Sequence, residues 1–78
     1  MVFLLKVIIN NSPYNVGVIV ADNPEVAARM IGREVRGKNA GPKGQSYFDL
    51  TGEFGESPYF TMNSMPEITS VAQLAAFL

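Results

Sequence analysis

The chain has 78 residues, a formal net charge of −1, and neither Cys nor His. That length makes a single domain, residues 1–78, whose core leaves a net stability of only roughly 3–5 kcal/mol. Without thiol or imidazole, disulfides, the usual zinc sites, His-ligated haem, iron–sulfur clusters and Cys or His catalysis are excluded.

Hydrophobic residues make up 47% of the chain and charged residues 17%, a balance that favours folding over disorder. Residues 2–10 read as a first strand. Phe3, Leu5, Val7 and Ile9 form one apolar face, and Val2, Leu4 and Ile8 with Lys6 form the other. A strand apolar on both faces is expected inside a sheet with cover on both sides. Lys6 interrupts the apolar run, no basic segment precedes it, and no small-residue cleavage site follows. The start is therefore not read as a signal peptide, and a soluble, cytoplasmic chain is expected.

Asn11-Ser12-Pro13 is turn chemistry, and residues 14–21 alternate as a second strand, so an antiparallel hairpin is expected. Ile19 is assigned to the same side as Val2, Leu4 and Ile8, an apolar patch that would favour a homodimer if left uncovered. Asn23-Pro24-Glu25 then starts a helix. Asn23 suits the N-cap, Pro24 the first helical position, and Glu25 the positive helix end. The apolar pattern predicts a helix over residues 24–35 or 24–36, with Gly37 as the residue that ends it. On that helix Arg29, Arg33 and Arg36 fall on one face, and Glu34 reaches toward Lys38. Residues 37–44 hold three glycines and a proline and read as a loop.

Residues 46–54 alternate as a half-buried strand, with Phe48, Leu50 and Phe54 inward and Tyr47, Asp49 and Glu53 outward. A turn at 55–58 and a shorter strand over 59–62 follow. Thr69 or Ser70 can cap a final helix over 71–78 whose only polar side chain is Gln73, so that helix is expected to be buried. The order is strand, strand, helix, strand, strand, helix. It predicts an α+β domain with a four-stranded, mainly antiparallel sheet and both helices packed on it.

Gly32, Gly37 and Lys38 have the spacing of a phosphate-binding P-loop, but Asn39 replaces the Ser or Thr, and the stretch closes a helix where a P-loop opens one. Asp49 and Glu53 are separate solvated charges, and no nucleophile–base–orienter set is visible, so no enzyme activity and no cofactor are expected. The informative feature is charge layout. Arg29, Arg33, Arg36, Lys38 and Lys43 face the single Glu34 in residues 29–43, a local net of +4. Residues 44–78 hold Asp49, Glu53, Glu56 and Glu67 and no basic residue, a net of −4. The basic set is read as the partner-binding surface, and Tyr47, Asp49 and Glu53 as a secondary interface. The expected function is a non-catalytic module that docks on a larger protein or nucleoprotein assembly, as a monomer or a homodimer. In size and layout only, the chain resembles phage-encoded inhibitors such as the anti-CRISPR proteins, which would imply an accessory or inhibitory role. The same basic residues with the Gly- and Lys-bearing loop also fit a nucleic-acid backbone. The carboxylates beside Tyr47 favour a protein partner, because they would repel phosphate.

Overall fold

Asn10 and Asn11 both adopt left-handed backbone, with φ of 50° and 66°. That pair forms a two-residue turn of the primed type, whose twist suits a tight hairpin and which Asn tolerates. In the computed structural model it joins β1 (Val2–Ile9) to β2 (Ser12–Val20), antiparallel, with Ile9 opposite Ser12. The structure describes residues 1–51 and 58–76. The remaining elements are α1 (Pro24–Met30), β3 (Val35–Ala40), a 3-10 turn (Pro42–Gly44), β4 (Ser46–Leu50), β5 (Tyr59–Ser64) and α2 (Val71–Ala75).

The strands form one sheet in the order β2-β1-β5-β4-β3, with every neighbouring pair antiparallel. The α+β class and the antiparallel sheet agree with expectation, but the described residues form a sheet of five strands where four were predicted. The extra strand is β3, which lies in the stretch read as the end of the helix and a loop. Arg36, Gly37, Lys38 and Asn39 have weak strand propensity. Gly37, Lys38 and Asn39 are extended because they pair with β4, opposite Asp49, Phe48 and Tyr47 in turn.

The helix ends earlier than its apolar pattern suggests. Gly32, with φ of 71°, is the residue that ends it, not Gly37. Its N–H donates to Arg29 O at 3.0 Å, and the Arg33 N–H donates to Ala28 O at 2.9 Å. These two bonds form a Schellman motif and satisfy carbonyls of the last turn. At the other end, Asn23 Oδ1 accepts the Val26 N–H at 2.8 Å, as the sequence predicts.

One face of the sheet is covered by α1. The core there comprises Phe3, Leu5, Ile19, Ala27, Ala28, Phe48, Leu50 and Met62. The rings of Phe3 and Phe48 meet edge to face, with centroids 6.1 Å apart. Ile19 stands opposite Phe3 and belongs to this core, not to the patch with Val2, Leu4 and Ile8. The reason is a bulge: the register of β2 against β1 slips by one residue between Leu5 and Lys6, leaving Val16 extra. A one-residue slip exchanges the faces. Tyr14 therefore joins Val7 on the α1 side, while Val18 joins Leu4 on the opposite side.

On that opposite face Leu4, Asn63 and Met65 are buried, and Asn63 Nδ2 lies 3.0 Å from Met65 Sδ. Asn63 Oδ1 is buried without a hydrogen-bond partner among the described residues. The C-terminal helix corrects another expectation. Ser70 caps it in a reciprocal capping box with Gln73, but none of the described residues of α2 is buried, and Val71 is 81% exposed. The helix lies beside Met1 and Val2 at the end of the sheet, where Ile68, Val71 and Leu74 help line an open hollow of about 350 Å³. Phe54, read as inward, and the end of the last helix at residues 77–78 lie outside the described residues.

Candidate protein-binding surface

The five residues of the basic set occupy four different settings. Arg29 is exposed in the last turn of α1. Arg33 follows the Schellman turn and is half-buried. Arg36 is exposed in β3, at the place where the register against β4 shifts, between Val35 and Gly37. Lys38 is exposed two residues further along β3. Lys43, with φ of 57°, is exposed in the 3-10 turn between β3 and β4. The three-arginine helix face is therefore corrected: α1 ends at Met30, so only Arg29 is helical. The helical lean of Glu34 toward Lys38 is lost for the same reason.

Arg33 is held by structure. Its Nη1 donates to Thr51 O at 3.0 Å, and its guanidinium lies over the Phe60 ring. The neighbouring backbone is clamped by the same threonine. Glu34 N–H donates to Thr51 Oγ1 at 2.8 Å, and Thr51 N–H donates to Glu34 O at 2.8 Å. Thr51 thus uses its amide, hydroxyl and carbonyl to fix the segment that leads from α1 into β3. Nothing in the local sequence marks this clamp, since the partners are far apart along the chain.

What remains for a partner is a basic margin. Lys38, Lys43 and the α1 residue Arg29 are exposed, with Arg36 on the same strand as Lys38. β3 is a sheet edge, paired on one side with β4. Charged side chains and a bulge on such a strand discourage further strand addition, so this margin suits side-chain contacts more than backbone pairing.

The secondary interface is partly assembled. Tyr47 is 37% exposed and its hydroxyl donates to Gln45 Oε1 at 3.2 Å. Asp49 is half-buried on the same face, opposite Gly37 on one side and Thr61 on the other. Tyr47 also lies against Gly41, where a Cβ would collide with its ring. Glu53 lies outside the described residues. The P-loop spacing spans the Schellman turn and an edge strand, which is not the strand–loop–helix context such a loop requires.

Among the described residues no three His, Cys, Asp or Glu side chains group as metal ligands would, and no helix is long and apolar enough to cross a membrane. Compared with protein-family models, curated proteins and solved structures, the chain matches none.

Proposed function

We propose that the protein is a non-catalytic binding module that docks on an acidic surface of a larger protein through its basic margin. The observation that carries this reading is the exposure of Arg29, Lys38 and Lys43 around the β3 edge of a chain whose net charge is −1. Such a dipolar layout steers association and orients the encounter. Asp49 beside Tyr47 favours a protein over a polyanion, because a carboxylate on the adjoining face repels phosphate. An accessory or inhibitory role on a protein or nucleoprotein assembly fits this docking mode.

The test is affinity capture of the partner from the native host, followed by titration with Arg29→Glu/Lys38→Glu/Lys43→Glu. The expected result is a loss of affinity of tenfold or more, about 1.4 kcal/mol or above, with an unchanged far-ultraviolet spectrum. Generic duplex DNA and single-stranded RNA should not bind. Undiminished partner binding by the triple variant overturns the reading. Binding to generic nucleic acid with a steep salt dependence replaces it with the nucleic-acid reading.

A further inference from the structure

The two edges of the sheet are unlike. β3 carries Arg36 and Lys38, whereas β2, with nine residues, carries no charged side chain. On β2 Tyr14, Val16 and Val20 are each more than half exposed. An edge strand presents unpaired N–H and C=O groups, and a long uncharged one is a template for another strand.

The hydrogen bonds show which backbone groups of β2 point outward. Met1 N donates to Ala21 O at 2.7 Å and Ala21 N donates to Met1 O at 3.0 Å, so these two residues are a mutually bonded pair. Val2 turns the other way, its carbonyl accepting the Met65 N–H at 2.8 Å. In an antiparallel ladder bonded and non-bonded pairs alternate. Val18 and Val20, opposite Leu4 and Val2, therefore aim their N–H and C=O away from β1. The same alternation turns the missing N–H of Pro13 outward, and the bulge at Val16 follows it. Proline and a bulge guard the first half of the edge, and among the described residues nothing guards 17–20.

We infer that this stretch pairs antiparallel with the same stretch of a second copy, joining two five-stranded sheets edge to edge about a two-fold axis. Centred on Ile19, the pairing puts Val18 of each copy opposite Val20 of the other, with both residues of each pair exchanging backbone bonds. Their side chains meet on the face away from α1, and no charge opposes a like charge. A second copy is the occupant because the edge is self-complementary in polarity, charge and apolar side chains. The assembly also closes. A head-to-tail contact of β2 with β3 would propagate without end, and Arg36, Lys38 and the β3 bulge oppose it. This inference does not rest on the proposed function, since the β3 margin lies at the far side of the sheet and stays open in both copies.

Sedimentation velocity from micromolar to millimolar concentration tests the pairing, with amide hydrogen exchange read at Val18 and Val20. The wild-type chain should show a monomer–dimer equilibrium, with both amides slowed at high concentration only. Val20→Pro removes an outward N–H and no bond to β1. Val20→Lys leaves the backbone intact and places charge on the edge. Each should raise the dimer Kd by about tenfold or more, and Val20→Lys should leave the Val18 amide fast at every concentration. A wild-type chain that stays monomeric to about 1 mM overturns the inference, as would be found if the edge receives a strand from another protein. A dimer that persists unchanged in both variants overturns it as well.

Discussion

The guanidinium carbon of Arg33 lies 5.0 Å from the centroid of the Phe60 ring, while its Nη1 bonds the Thr51 carbonyl. Two contacts of different kinds thus hold a residue that the sequence pattern assigns to a partner-binding helix face. Arg33→Ala should lower stability by about 1–2 kcal/mol, the sum of a partly exposed cation–π contact and one hydrogen bond. Arg33→Lys should recover only part of this, because an ammonium does not stack as a planar guanidinium does. Arg29→Glu should cost no more than about 1 kcal/mol, the scale of a lost helix-end interaction. Urea unfolding of the variants reads all three; equal effects at Arg29 and Arg33 would show that the ring contact contributes nothing.

The two glycines that compete to end the helix respond in opposite ways. Gly32→Ala forces a Cβ into left-handed backbone and should cost about 1 kcal/mol or somewhat more. No atom of the described residues obstructs that Cβ, so the cost is conformational. Gly37 is an extended strand residue, and its Cβ would meet Asp49 Oδ2 at an ordinary 3.7 Å. Gly37→Ala should therefore be neutral or stabilising, by up to roughly 1 kcal/mol. Thermal melts of the pair decide the matter, and a larger loss at Gly37 would contradict the Schellman assignment.

Asn63 is 5% exposed, yet its Oδ1 has no hydrogen-bond partner among the described residues. Replacing a buried unsatisfied amide by an apolar group of similar shape removes a desolvation penalty of about 1–3 kcal/mol. Asn63→Leu should thus match or exceed the wild-type stability, and Asn63→Ala should fall below Asn63→Leu because it leaves space. Chemical denaturation that places Asn63→Leu clearly below the wild type would mean that the amide oxygen has a compensating partner.

Gly41 and Tyr47 form a coupled pair. A Cβ at Gly41 would strike the Tyr47 ring, so Gly41→Ala must displace it. The expected cost is about 1–2 kcal/mol, typical of overpacking at a partly exposed site. Tyr47→Ser should remove most of that cost. A double-mutant cycle with a coupling below about 0.3 kcal/mol would show that the ring moves freely.

Features fixed by adjacent residues were legible in the sequence. Asn23, Pro24 and Ser70 act over one turn of chain, and the structure uses each where expected. The first hairpin follows from alternation in two neighbouring strands. What escaped reading depends on distant partners. β3 is a strand because β4 lies beside it, and its own residues say little. The apparent spacing of Arg29, Arg33 and Arg36 assumed a helix that Gly32 ends, although glycine followed by polar residues is a stop signal. The faces of β2 were assigned from strict alternation, which the bulge at Val16 breaks. The exposure of the β2 edge was invisible too, since sheet order depends on pairings between strands distant in sequence.

β1 pairs on one side with β2, its neighbour in sequence, and on the other with β5, so that Lys6 stands between Asn15 and Thr61. During synthesis the hairpin can close while the chain is still emerging, but the second edge of β1 waits until residue 61 and its neighbours have left the ribosome. Closing so long a loop adds little to the equilibrium cost, since each doubling of loop length costs about 0.6 kcal/mol. Its effect is on timing. Nonlocal pairing slows folding, and for that interval β1 offers a long apolar edge to any strand nearby. The seam between β1 and β5 therefore joins the two ends of the sheet's chain path, and it leaves one side of β1 open until late in synthesis.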